Sequence, residues 1–399
     1  MRSKLILAIA LALNPWSTTG EAAETYYDGS RSAFLAYLSE QWPTEGPLPE
    51  WSAQGVIGTF KARDGVSLRY AYLPRASAAV DQGTVVHFNG RTEFIERNAL
   101  SYRDLAERGW DVWTFDWRGQ GLSERPLTGD RSVRGHIESF DSYVDDAKIF
   151  IDGIVKLKSR QHPHVLLAHS MGGQVALRYL LDNPKQFDVA VLISPLVRLP
   201  DWGTRFIATL KDAVPEELQD AGACAGGKSA EWHGSFTRKA CELLPALTAP
   251  QLSEPETTEG YTHDRRNLAI GECLIERSRG LGHDPGLAVS CPTAGWLVAA
   301  HQSIKTLFKK KDALAKIPIL IVAAENDPAV DPEGQKTLCD GLSNCMLIQV
   351  PFAGHELLVE IPSVRTLFFG CFDAFVANPK AGISSCQALL TTFRPDWSP

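Results

Sequence analysis

The residues in this chain best placed to do chemistry are a serine, an aspartate and a histidine, each just past its own apolar run. Only Ser170 and Ser278 have a glycine two residues on. No apolar run leads into Ser278, and Glu276 stands two residues before it. Ser170 lies in Ala168-His169-Ser170-Met171-Gly172, after the apolar stretch Val165–Ala168 and before the helix-like stretch Gly173–Leu181. A sharp turn from strand to helix exposes a serine hydroxyl and points a helix N-terminus at it, a nucleophile elbow. Such a turn needs small residues two before and two after the serine, which Ala168 and Gly172 supply. The alternative is a serine that merely caps a helix.

A serine hydroxyl needs a base, and the base needs a carboxylate to orient it. After an elbow the chain order is serine, acid, histidine. Of the ten histidines, His301 and His355 lie far enough along. His301 is embedded in an apolar helical stretch. His355 follows the strand Met346–Val350 through the loop Pro351-Phe352-Ala353-Gly354. Ligand sites in open α/β sheets lie at such strand ends. The strand Ile317–Ala323 runs into Glu325-Asn326-Asp327-Pro328, so Asp327 is the first choice of acid, with Asp331 and Glu325 behind it. Attack by the serine creates an oxyanion that needs two backbone N–H donors. Met171 should supply one. Arg91, in Asn89-Gly90-Arg91-Thr92-Glu93 after the strand Thr84–Phe88, should supply the other.

These residues need a frame. Val56–Ala62 and Leu68–Leu73 flank Asp64-Gly65, a hairpin signal. Further strands are expected at Thr84–Phe88, Val112–Trp117, Val165–Ala168, Val189–Ile193, Ile317–Ala323 and Met346–Val350. Helices are expected over Asn98–Arg108, Phe140–Leu157, Gly173–Leu181 and Val364–Phe375. A hairpin followed by βα units predicts an α/β fold with a mostly parallel sheet covered on both faces. Residues 196–302 break the pattern and read as an insertion between the sixth and seventh strands. Within it Trp202, Phe206, Ile207, Leu210 and Val214 share a helical face. Gly222 to Ser229 spells G-x-x-x-x-G-K-S, but no apolar strand precedes it, so nucleotide binding is not expected.

Composition narrows the class. The 399 residues are 44% hydrophobic and 22% charged, as in ordinary globular proteins, which excludes disorder, collagen and coiled coil for the whole chain. The net charge is −7, and no basic cluster exceeds Lys309-Lys310-Lys311, which argues against nucleic-acid binding. Arg2 and Lys4 precede the apolar run Leu5–Leu13, too short for a span, with small residues at Ala22 and Ala23. That pattern reads as a secretory leader over residues 1–23. The eight cysteines all follow residue 223: Cys224, Cys241, Cys273, Cys291, Cys339, Cys345, Cys371 and Cys386. An even count in an exported chain points to disulfides. The simplest pairing joins neighbours, 224–241, 273–291, 339–345 and 371–386. Without a C-x-x-C pair, a zinc site is not expected.

Beyond single residues, Asp116-Trp117-Arg118-Gly119-Gln120-Gly121-Leu122-Ser123, Arg134-Gly135-His136, Tyr143-Val144-Asp145-Asp146 and Leu167-Ala168-His169-Ser170-Met171-Gly172-Gly173 resemble the bacterial lysophospholipase L2 branch of the α/β-hydrolases. Monoacylglycerol lipases and serine aminopeptidase S33-type hydrolases are close relatives of that branch. The resemblance covers Val56–Pro195 and, more loosely, Ile317–Phe375. It implies an eight-stranded α/β-hydrolase fold with core segments 56–195 and 303–399, an inserted cap at 196–302 and an N-terminal extension at 24–55. It also implies a cofactor-free, metal-free serine hydrolase of single-chain lipid esters, with Ser170, Asp327 and His355 as the triad. Asn89-Gly90-Arg91-Thr92-Glu93 aligns with the His-Gly-x-Gly-Glu oxyanion segment of monoacylglycerol lipases. Trp202, Phe206 and Leu210 would line the acyl site, and contact with a lipid surface would be transient. The leader and the cysteines depart from the usual members and indicate a periplasmic or secreted protein. A peptidase or small-ester hydrolase with the same triad is the rival enzyme reading. An inactive secreted binding protein of the same fold is the rival outside catalysis.

Overall fold

The computed structural model describes residues 55–156, 163–210, 261–264, 267, 274–275, 278, 286–289, 292–325 and 327–395. The expected leader, the 24–55 extension except Gly55, Cys224, Cys241, Cys273, Cys291, Val214 and the G-x-x-x-x-G-K-S segment lie outside them.

Eight strands form one sheet: β1 (Val56–Lys61), β2 (Ser67–Leu73), β3 (Gly83–Phe88), β4 (Trp110–Phe115), β5 (His164–His169), β6 (Val189–Ile193), β7 (Ile319–Ala324) and β8 (Cys345–Val350). Their order is β1-β2-β4-β3-β5-β6-β7-β8. The opening hairpin and the β2–β4 pair are antiparallel, and every later pair is parallel. Asp64-Gly65 makes the hairpin turn, with Gly65 at φ +88°. The order reverses between β3 and β5, which are neighbours with Phe88 opposite Ala168. Such a switch point opens a crevice at the strands' C-terminal ends.

Alternation along the strands builds two cores. Leu166 and Ala168 of β5 face one cluster with Phe88, Phe115 and Trp117, while Val165 and Leu167 face another with Tyr102, Phe368 and Phe372. Helices α1 (Ala99–Glu107) and α7 (Pro362–Ala377) cover the second face. Helices α2 (Phe140–Ile149), α3 (Ser170–Asp182) and α5 (Ala294–Lys310) cover the first. Between α3 and α5 lies α4 (Asp201–Leu210), and α6 (Pro332–Asp340) joins β7 to β8.

Two elements differ from expectation. The helix from Phe140 does not run straight to Leu157: at Phe150 it widens into a π-type turn through Val155, closed by Lys156 N–H donating to Ile151 O. Phe150 and Ile151, at the start of this turn, are both fully buried. A further helix, α8 (Pro379–Thr392), follows α7. Asn378 caps it by accepting from Lys380 N–H and Ala381 N–H, and the Cys371–Cys386 disulfide staples it to α7. A second disulfide, Cys339–Cys345, joins the end of α6 to the start of β8. Helix α5 is continuous across residue 302, where the sequence places the insertion's boundary.

Candidate active site

Strand β5 ends at His169 and α3 begins at Ser170 with no residue between them. The turn forces Ser170 to φ +51°, the left-handed region. A non-glycine residue there costs roughly 1–3 kcal/mol and persists only where its surroundings impose it. Two contacts do so. Ser170 O accepts from Leu196 N–H at 2.9 Å. Gly172 lies so close to Phe88 O and Asn89 O that a Cβ would collide with both. The small residue at that position therefore admits the end of β3 to the elbow.

Asp327 and His355 meet beyond the ends of β7 and β8. His355 Nδ1 donates to Asp327 Oδ2 at 2.7 Å, and both side chains are almost wholly buried. Burial alone would raise the Asp327 carboxyl. His355 and the N–H groups of Ala329 and Val330 outweigh it and hold the carboxyl below its ordinary value. The other two acids are placed differently: Asp331 caps α6 and pairs with Arg198 at 3.0 Å, while Glu325 is exposed. His301 lies within α5. The His355 ring centroid is 4.6 Å from that of His169, which adjoins Ser170. Ser170 Oγ and His355 share no hydrogen bond; contacts of this kind tighten once a substrate engages.

The loop after β3 closes the other side. Gly90 N–H donates to the Glu93 carboxylate, and Thr92 N–H donates to Gln120 Oε1 at 2.7 Å. Arg91 stands between these two engaged amides. Its guanidinium donates to Arg134 O at 3.4 Å and lies 5.3 Å from the centre of the Trp296 ring. Burial pushes that guanidinium down to about 10. Asn89 is locked beneath: its Nδ2 donates to Phe115 O, its Oδ1 accepts from Asn98 and Tyr102, and its carbonyl accepts from Trp117 Nε1. Met171 N–H lies in the first turn of α3, where amides lack acceptors within the helix.

The Asp116–Ser123 motif is mostly scaffold for these loops. Asp116 accepts from the amides of Ile95 and Leu122 and from Arg69. Burial, with Glu96 adding to it and Arg69 opposing, pushes the Asp116 carboxyl up to about 6. Arg118 donates to Asp146 and Asp64 at 2.6 Å each. Gln120 reaches both sides of the site, since its Nε2 donates to Met171 Sδ at 3.6 Å.

Sequence reasoning missed the partners of the His355 loop. Residues 261–264 dock on it: Glu356 N–H donates to Tyr261 O at 2.8 Å, His263 Nδ1 to Glu360 at 2.7 Å, and Thr262 Oγ1 to Val359 O at 3.1 Å. The Tyr261 ring stands edge-on to His355 with centroids 5.9 Å apart. Of the expected acyl wall, Trp202 is 37% exposed, Phe206 packs partly on the first core, and the Leu210 side chain lies outside the described residues.

The serine aminopeptidase S33 family matches residues 80–362, a stretch that includes Ser170, Asp327 and His355. The chain belongs to that family. Among its relatives, it is 27% identical over 349 residues to the probable lysophospholipase L2 of Haemophilus influenzae, spanning 86% of this chain and 94% of that one. It is 27% identical over 358 residues to lysophospholipase L2 of Escherichia coli, spanning 86% and 91%. A soluble variant of the Saccharomyces cerevisiae monoglyceride lipase shares the fold at a TM-score of 0.53 and 17% identity, over 81% of this chain and 96% of that one. A carboxyl esterase from Bacillus coagulans does so at 0.57 and 15%, over 82% and 99%. This S33 protein is thus an α/β-hydrolase and an ester hydrolase. No helix among its described residues is long and apolar enough to cross a membrane.

Proposed function

We propose that this S33 hydrolase cleaves the carboxylic ester of single-chain lipids, lysophospholipids or monoacylglycerols, through an acyl-enzyme on Ser170. The observation that carries the reading is the strained Ser170 at the head of α3, with the buried Asp327–His355 pair beside it. His355 takes the Ser170 proton through Nε2, because Nδ1 is committed to Asp327. Ser170 Oγ attacks the acyl carbon, and the amides of Met171 and Arg91 hold the oxyanion. His355 then returns its proton to the leaving alcohol, and water releases the fatty acid by the same steps.

The similarity to lysophospholipases L2 over 86% of this chain supports the lipid substrate. Residues 196–302 form the cap in this reading, with Trp202, Phe206 and Leu210 along the acyl chain, and contact with a lipid surface is transient. The leader-like N-terminus and the two disulfides among the described residues support export to the periplasm or beyond. The test is turnover by the purified protein of lysophosphatidylcholine, monoacylglycerol, short p-nitrophenyl esters and aminoacyl-naphthylamides. Release of fatty acid from a lipid substrate, with naphthylamides untouched, is the expected result. Turnover confined to short esters or to naphthylamides would replace the lipid reading with a small-ester hydrolase or a peptidase.

A further inference from the structure

His169, the residue before Ser170, is buried and bonded on both ring nitrogens. Its Nδ1 lies 3.0 Å from Glu93 Oε1, and its Nε2 lies 3.0 Å from His355 O. Glu93 is equally buried, and its other oxygen accepts from Gly90 N–H. One chain of hydrogen bonds thus runs from the loop that would hold the oxyanion, through Glu93 and His169, to the backbone of His355. Gly90 makes room for it, since a Cβ there would sit 2.7 Å from the His169 ring nitrogen.

The two partners of this ring are an acceptor-only carbonyl and a carboxyl group. A neutral imidazole has one N–H and can satisfy only one acceptor. Both bonds form if the ring carries two protons beside a carboxylate, or if it carries one beside a carboxylic acid. The two states hold the same number of protons, so basicity decides between them. Imidazole titrates about two units above a glutamate, and the carboxylate form of Glu93 is further held by Gly90 N–H.

We infer that His169 is a fixed imidazolium and a positioning residue, setting the His355 backbone and the oxyanion loop against each other across the elbow. The inference rests on the reading of Ser170 and His355 as catalytic. The ionisable groups facing His169 are Glu93 from the loop after β3, His87 from β3, and His355 and Glu356 from the loop after β8. Glu356 is itself paired with Arg97 at 2.5 Å. Burial keeps His87 neutral, lowering it to about 4. Burial also opposes charge on His169, but Glu93, with Glu356 behind it, outweighs this and raises the ring above its ordinary value.

Loss of the second proton beside the carboxylate, or of any polar partner at position 93, leaves one of the two bonds unmade and frees the loops to shift. Displacements of about 1 Å at a reacting centre cost on the order of a hundredfold in rate. Glu93→Leu should therefore lower kcat on p-nitrophenyl butyrate by roughly ten- to a hundredfold, with KM changed less than about threefold. Glu93→Gln, whose amide oxygen can accept from Gly90 N–H while its Nε2 donates to a neutral Nδ1, should recover most of that loss. In the wild-type protein, ¹⁵N NMR of labelled histidine should show both ring nitrogens of His169 protonated at pH 8, the ring being assigned by its proximity to His355. A neutral His169 ring at pH 8, or equal losses in folded Glu93→Leu and Glu93→Gln variants, overturns the inference. The wild-type spectrum decides even if the variants do not fold. It is read without turnover, so it stands apart from Ser170→Ala labelling, which tests the nucleophile.

Discussion

Asp327 and His355 are 28 residues apart in sequence and 2.7 Å apart at Oδ2 and Nδ1. Parallel pairing of β7 with β8 brings them together, because it sets Ala324 beside Val350 and so aligns the two strand ends. Asp331, four residues on, is turned to Arg198 and to the amide of Glu333. The two aspartates should therefore separate cleanly. Asp327→Asn should lower kcat by roughly 10³–10⁴-fold, since the imidazole loses the carboxylate that fixes its tautomer. Asp331→Asn should leave kcat within about threefold. Because Asn also caps helices well, it should cost under about 1 kcal/mol of stability. Steady-state kinetics on one short ester compares them, and equal losses would contradict the assignment.

The elbow's strain predicts an unusual order of stabilities. Ser170→Ala keeps the left-handed backbone on a residue with a Cβ, whereas Ser170→Gly relieves it. Both should lose hydrolysis and fluorophosphonate labelling. The glycine variant should nevertheless be more stable than the alanine variant by about 1 kcal/mol in urea titration. Labelling that survives in either would move the nucleophile to another serine.

Much of this site was legible because each part has a local signature. Ser170, Asp327 and His355 each follow an apolar strand, and in a parallel sheet such positions share one end. The bonds that hold the parts together were not legible. Glu93 and His169 are 76 residues apart, Arg97 and Glu356 are 259 apart, and nothing in their own neighbourhoods marks them as partners. The docking of residues 261–264 on the His355 loop was hidden for the same reason, since that stretch carries no strand or helix periodicity. The break in the helix at Phe150 was missed because Phe150 and Ile151 fit the apolar face of a longer regular helix.

Buried carboxyls give the protein a two-part acid response. Glu93 and Asp327 hold protons less tightly folded than unfolded, so their contribution is present above roughly pH 4 and lost as pH falls through their folded values. Asp116, raised to about 6, acts in the opposite sense: it stabilises below roughly pH 4, and that contribution is lost as pH rises through about 6. Urea midpoints should therefore drop steeply from pH 4 to pH 2. Glu93→Gln should flatten that drop, and an unchanged slope in the variant would mean Glu93 is already protonated near neutrality.

The two disulfides should differ in what they protect. Cys371–Cys386 closes a loop of 15 residues between α7 and α8, and Cys339–Cys345 one of 6 between α6 and β8. Chain entropy gives about 3 and about 2 kcal/mol respectively. Only the shorter one lies on the path from Asp327 to His355. Replacing Cys339 and Cys345 by serine should thus lower kcat severalfold, while replacing Cys371 and Cys386 should lower the melting temperature more and leave kcat within about twofold. A reversed order would show that the C-terminal helices, not the β7–β8 connection, set the geometry of the acid and base.

The proposed acyl wall makes a claim that two neighbouring residues can decide. Trp202 is partly exposed on α4, while Phe206 packs partly on the first core. Trp202→Glu should reduce turnover of long-chain lysophospholipid or monoacylglycerol by about tenfold or more, since a charge displaces the buried methylenes of the chain at about 0.8 kcal/mol each. It should leave short p-nitrophenyl esters and the melting temperature little changed. Phe206→Glu should lower the melting temperature as well, because it places a carboxylate against apolar core. If Trp202→Glu instead slows long and short substrates equally, α4 does not line the acyl site, and chain-length preference must arise elsewhere.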